Sequence, residues 1–198
     1  MAKITFSTKV DNIISELPAI YKVSAADVNE IKDSVNNLYD SKGGWADYSD
    51  AATSVTPINL TQNVWTDLTN DKAGVDTITA YKPPFVTGEL WNSASSSVDF
   101  SEIGVGRIII IRNIFAITAG ASNTRLDARL YFPDSGKFIE FQHDNIAANN
   151  ESVNYSESTQ LFIKENELSN GCKIQIKVNK SGSTATVRNI LITVLSLF

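Results

Sequence analysis

From Trp45 onward the chain alternates apolar and polar residues with a period of two, in short runs divided by turn-forming clusters. A period of two puts every second side chain on one face of an extended strand. Many short runs of this kind require sheets that bury one face each. The expected strands are residues 55–60, 64–68, 76–81, 105–118, 124–132, 138–142, 160–164, 172–178 and 185–197. Between them lie Asn70-Asp71-Lys72-Ala73-Gly74, Lys82-Pro83-Pro84, Pro133-Asp134-Ser135-Gly136 and Lys180-Ser181-Gly182-Ser183, all rich in residues that turn a chain. Asn, Ser and Thr supply more than a quarter of the 198 residues, which again favours strands and turns. The expected class is mostly β, a sandwich or jelly roll over residues 45–198. The final run, 189–198, is almost entirely apolar and is expected to be buried on both faces, in the core or at a subunit interface.

Only one stretch has a helical period. Val28, Ile31, Val35 and Leu38 are spaced three, four and three apart, with Glu30, Lys32, Asp33, Asn36 and Asn37 on the other faces. Ser24 suits the N-cap, Asp27 suits the positive helix end, and Gly43-Gly44 is expected to end the helix and act as a hinge. About sixteen residues make a rod of roughly 24 Å, too short to be stable alone in water. The narrow seam is expected to pack either on the chain's own β-domain or on copies of itself, and the hinge favours the second. Valine and leucine at these positions do not select three strands over two.

The chain therefore divides into residues 1–22, a helix within 23–42, and the head at 45–198. The first segment carries Ile4, Phe6, Val10, Ile13, Ile14 and Leu17 ahead of Pro18. Burying those six side chains would contribute on the order of 10 kcal/mol. Ordering about twenty residues costs at least as much. This segment is expected to be an attachment device that needs a partner.

Composition excludes several functions. The net charge is −5 and no basic stripe is present, so nucleic-acid binding is not expected. The densest apolar run, Ile108-Ile109-Ile110-Ile111, lies between Arg107 and Arg112 and is far too short to span a bilayer, so no membrane insertion is expected. Residues 1–8 lack the apolar core of a signal peptide, which points to synthesis in a reducing cytoplasm. The single cysteine, Cys172, excludes an internal disulfide and is expected to be a small buried hydrophobe.

Candidate chemistry is sparse. A Ser-His-Asp triad would have to use the single histidine, His143, which sits in a strand-like stretch without a nucleophile elbow. One histidine and one cysteine cannot build a nitrogen–sulfur zinc site. Asp67, Asp71 and Asp76 share a loop region but lack the alternate spacing of a calcium loop. Spacing alone pairs no two carboxylates across a cleft, as a glycosidase requires. Gly104-Val105-Gly106 precedes a strand, not a helix, and so lacks a phosphate-binding helix end. Trp65 is expected in the core. Trp45, Tyr48 and Trp91 flank loops, where they could stack on sugars but more commonly pack inward. No catalytic, metal or cofactor residue is assigned, and no ligand-binding residue can be named.

Two stretches resemble tailed-bacteriophage fibre proteins. Leu17-Pro18-Ala19-Ile20-Tyr21-Lys22-Val23-Ser24-Ala25-Ala26-Asp27-Val28-Asn29-Glu30-Ile31-Lys32 is similar to the N-terminal helix segment of phage head and tail fibres. Pro57–Asp71, followed by Tyr81–Thr87, Leu90-Trp91-Asn92, Val98–Ile103 and the closing 188–198 run, is similar to a β-domain of phage virion proteins. The resemblance implies a homotrimer with a coiled-coil stalk (seam Val28, Ile31, Val35, Leu38) and a jelly-roll head like that of tumour necrosis factor. It implies an N-terminus held by a capsid or tail protein, a place on the virion surface, and a host-surface glycan as candidate ligand. It supplies no catalytic residues. The alternatives are a capsid decoration protein without receptor binding and a lectin-like adhesin from outside phages.

Overall fold

The computed structural model describes residues 25–195. Helix α1 (Ala25–Asp40) comes first, then strand β1 (Gly44–Ser49) and a single helical turn, α2 (Ala52–Val55). Four two-residue strands follow: β2 (Ile58–Asn59), β3 (Thr66–Asp67), β4 (Trp91–Asn92) and β5 (Ser97–Val98). The long strands are β6 (Ile108–Thr118), β7 (Thr124–Phe132), β8 (Lys137–Ile146), β9 (Ser152–Phe162), β10 (Lys173–Val178) and β11 (Thr184–Val194).

All pairings between named strands are antiparallel. One sheet runs β1-β11-β6-β9, with β2 also on β11, and the second runs β3-β10-β7-β8. Setting aside β2 and the β4–β5 hairpin, the strands in chain order fall first-eighth-third-sixth in one sheet and second-seventh-fourth-fifth in the other. That wiring is a jelly roll. The class read from the alternation, a mostly β head behind a short N-terminal helix, is the class observed.

The core lies between the sheets. Ile109, Ile111, Phe115 and Ile117 of β6 and Val187, Ile190, Ile192 and Val194 of β11 face Leu126, Leu130 and Phe132 of β7 and Ile174, Ile176 and Val178 of β10, all buried. A bulge at Arg188 shifts the register, so Val187 and Ile190 both point inward although three residues apart. A second bulge, opposite the Ala128/Arg129 step, turns Phe141 toward the core.

Several expectations need correcting. Residues 76–81 form no strand; Ile78 makes an isolated bridge to Asp47, and the segment is otherwise loop. Residues 55–60 contain the end of α2 and only the two-residue β2. Strand β1 was not anticipated because Gly-Trp-Ala-Asp-Tyr-Ser shows too little apolar alternation. The first part of β9 escaped because Ser, Asn, Glu and Thr dominate it. Gly44 is not a hinge: it pairs with Val194, and a Cβ there would lie 2.4 Å from the Tyr81 carbonyl oxygen. It is glycine because backbone approaches it closely. The closing strand is buried on one face only, its outward Asn189, Leu191 and Thr193 being half-buried.

Candidate functional site

The residues expected to join copies of the chain lie on α1. Its last turn closes with the Ser41 amide donating to the Asn37 carbonyl at 2.9 Å and the Ser41 hydroxyl donating to that of Leu38 at 2.8 Å. Along it Ile31 is 62% exposed, Val35 40% and Leu38 68%, while Val28 is half-buried. This seam is an apolar stripe left largely open to water. The expected attachment residues Ile4, Phe6, Val10, Ile13, Ile14 and Leu17, and the expected cap Ser24, lie outside the described residues.

A second apolar surface was not anticipated. The outward positions of the first sheet include Trp45 of β1, Leu191 of β11 and Ile108, Ile110 and Ile114 of β6, all half-buried. The isoleucine run carries isoleucine on both faces: Ile109 and Ile111 inward, Ile108 and Ile110 outward. A shallow groove of about 310 Å³ lies here between Trp45, Asp47, Arg112, Leu191 and Thr193. At the open edge where β8 nears β9, Phe138 (52% exposed), Ile139 and Phe162 (58%) border a groove of about 300 Å³. Both grooves are lined partly by apolar side chains that the chain itself leaves uncovered.

The outward face of the second sheet is the opposite. Two cations pack on the Trp65 ring, the Arg129 guanidinium 4.0 Å from its centre and the Lys177 ammonium at 4.4 Å. Arg129 also sits 5.1 Å from the Tyr131 ring and 5.0 Å from that of Phe138, and donates from Nε and Nη2 to Gln175 at 2.9 and 2.8 Å. Asp67 accepts from Lys173 at 2.5 Å and from Gln175 at 2.7 Å. Asp127 accepts from Arg125 at 3.0 Å, lies 2.9 Å from His143 Nδ1, and pairs with Lys177 at 3.3 Å. Burial pushes the Asp127 carboxyl up, but His143, Arg125 and Lys177 together outweigh it and hold it below the usual aspartate range. Trp65 is therefore not a core residue as expected, but a half-buried plate contacted by two cations.

Two further aromatics, Tyr48 and Trp91, point inward. Tyr48 is fully buried, donating to Glu89 at 2.8 Å and accepting the Leu90 amide at 2.8 Å; burial and the Glu89 carboxylate drive its phenol well above the usual range. Trp91 is also buried and donates from Nε1 to the Asn70 carbonyl at 2.9 Å. Trp45 stacks on Tyr81 with ring centres 5.0 Å apart. Carboxylates staple the long loops. Asp71 accepts the amides of Ala51, Ala52 and Ala73, and these bonds, that of Ala51 foremost, lower its pKa. Glu102 accepts the Thr87 hydroxyl and the amides of Gly88 and Thr87, which lower its pKa in turn.

Cys172 is fully buried, and burial drives its thiol up, the inert state expected of a small core hydrophobe. His143 lies on β8, the edge strand of its sheet, between Asp127 and Glu140. Among the described residues no three of His, Cys, Asp and Glu cluster as metal ligands, and no helix is long and apolar enough to cross a membrane. Gly104 and Gly106 adopt φ of +84° and +83° where the chain turns into β6, so they serve the turn.

No protein-family model and no curated protein matches the chain. It is similar in fold to the PRD1 vertex protein P5, at 14% identity over 80% of this chain and 98% of that one, with a TM-score of 0.40. It is also similar to murine APRIL, at 10% identity over 79% and 100%, TM-score 0.42. A third likeness is to the Eiger TNF of S. frugiperda, at 7% over 79% and 94%, TM-score 0.41. The strand order above establishes the jelly roll independently of these likenesses.

Proposed function

We propose that this chain is a structural virion protein of a tailed phage. It is a homotrimeric appendage, anchored to a capsid or tail protein through residues 1–22, and it carries its jelly-roll head outward on the helix α1. The observation that carries this reading is the open seam of α1, with Ile31 and Leu38 each more than 60% exposed. A helix of 16 residues with such a stripe is marginal alone, and copies of itself cover the stripe at matched spacing. The outward isoleucines of β6 and the Phe138–Phe162 edge support the same conclusion, since a closed symmetric oligomer covers both. The order of the fibre-like motifs along the chain strengthens the likeness to phage appendages, and three copies is what that likeness implies.

The head has no catalytic role in this reading. Asp71, Glu102 and Asp127 are held by amides, hydroxyls and cations that keep them ionised, and none of the three is poised as a proton donor. Incubation with host polysaccharide is expected to release no reducing ends. The deciding experiment is light scattering on the purified full chain, with an expected mass of three times 21.6 kDa. A monomer at micromolar concentration would overturn the proposal.

A further inference from the structure

At one end of the sandwich the β4–β5 hairpin leans over the start of β10 and leaves a cleft of about 550 Å³, within the usual range for small-ligand sites. No feature of the sequence marks it, because its walls come from four separated segments: Asp67 and Thr69, the 92–99 hairpin, Pro133, and 169–173. We infer that this cleft is a saccharide-binding site, built for a neutral ligand with several hydroxyl groups. This deepens the reading of the head as outward-facing and rests on it.

The chemistry of the walls selects the ligand. The one cation, Lys173, is matched by Asp67 at 2.5 Å, and Asp67 also accepts from Gln175, so neither charge is free for an ionic partner. Asp99 then leaves the cleft with an excess of negative charge, which disfavours phosphates and carboxylates. Among the described residues neither Asp67 nor Asp99 belongs to a group of three His, Cys, Asp or Glu, so a bound cation would lack ligands. What remains are hydroxyls and amides held in fixed directions.

Asn92 Oδ1 accepts the amides of Ala94 at 3.0 Å and Ser95 at 3.2 Å, which fixes its orientation and leaves Nδ2 as a donor. Asn170 is fixed the opposite way. Its Nδ2 donates to Asp134 Oδ1 and its backbone amide to Asp134 Oδ2 at 3.0 Å, leaving its side-chain oxygen as an acceptor. Asp99 accepts the Ser101 amide on Oδ1 at 2.8 Å, and its second oxygen can accept from a sugar hydroxyl. Fixed donors and acceptors on opposing walls suit adjacent hydroxyls, each of which donates and accepts at once. Little side-chain entropy is lost on binding, because the amides are already immobilised. Ala94 and Pro133 add small apolar faces for ring C–H groups. Ser96, buried on the hairpin, holds a left-handed backbone with φ of +51°, a conformation costly for a serine that the surrounding turn maintains.

The test uses the full chain and a panel of glucose, galactose, mannose, N-acetylglucosamine and their short oligomers, read by saturation-transfer NMR. At least one sugar is expected to give signals on the wild type. Ala94→Trp, on an exposed turn, fills the cleft and is expected to abolish those signals. Asn170→Ala removes one acceptor and is expected to weaken binding by about tenfold, the scale of one hydrogen bond. Ser122→Trp, on an exposed turn outside the cleft, is expected to change nothing. Absence of signals from every sugar overturns the proposal, as does binding that survives both cleft variants. If Ala94→Trp fails to fold, Asn170→Ala decides alone. A trimer that binds no sugar would sink the cleft and leave the assembly standing. A monomer that binds would do the reverse.

Discussion

The two sheets of the head show contrasting outer faces. On the second sheet the outward groups partner one another within the chain: Trp65 carries Arg129 and Lys177 on its ring, Asp67 holds Lys173 and Gln175, and Asp127 gathers Arg125, His143 and Lys177. On the first sheet Trp45, Ile110, Ile114 and Leu191 stand outward, half-covered by their strand neighbours. Apart from Phe138 at its edge, the second face is closed within a single chain, and the first is not. Long charged and aromatic side chains can fold over a sheet and satisfy one another. Isoleucines cannot, because their area is removed from water only by another surface.

The largest effect on this contrast is expected from charging the open face. Ile110→Glu combined with Leu191→Glu is expected to reduce the trimer to monomer at micromolar concentration with the α1 seam intact, read as mass by light scattering. An unchanged mass would show that α1 alone holds the copies together.

On the completed face, Trp65→Ala should cost about 1–3 kcal/mol, because two cations lose their ring and an aromatic surface is lost. The midpoint of thermal unfolding should fall by several degrees while the mass stays that of the wild type. A change of mass would place this face at an interface too.

A smaller effect, of opposite sign, is expected behind the open face. Asn113 is 1% exposed between Ile111 and Phe115, and among the described residues neither end of its amide has a hydrogen-bond partner, nor has the Thr159 hydroxyl on β9. Asn113→Val should stabilise the head by about 1 kcal/mol, measured by denaturant unfolding. A loss of stability would mean that the amide is satisfied within the assembly.

The smallest effect is electrostatic. The Asp127 carboxyl is depressed in the folded chain, so its contribution is fully present above the unfolded aspartate value of about 3.9 and is lost as pH falls through the folded value. Asp71 and Glu102 carry the same sign. Unfolding midpoints should therefore be flat from pH 7 to about 5 and decline below about 4, with Asp127→Asn less steep. An equally steep decline in that variant would assign the acid sensitivity to the loop carboxylates.

The sequence by itself determined the class of this protein. Alternation in 105–118, 124–132 and 172–178 commits those residues to strands with one buried face, and the observed β6, β7 and β10 coincide with them to within a few residues. The spacing of Val28, Ile31, Val35 and Leu38 likewise committed α1 to a helix with one apolar stripe. These are local consequences of a period, which neighbouring residues set together. Tertiary structure decided what the period leaves open. It recruited β1 and the polar half of β9, because a sheet edge supplies hydrogen bonds to segments that would not form strands alone. It brought two cations onto the ring of Trp65, a residue expected in the core, and buried Trp91, a residue expected beside a loop. The same packing brought Asn92, Asp99 and Asn170 to one cleft from segments up to 78 residues apart, since a cleft is a relation between loops and no local pattern encodes it.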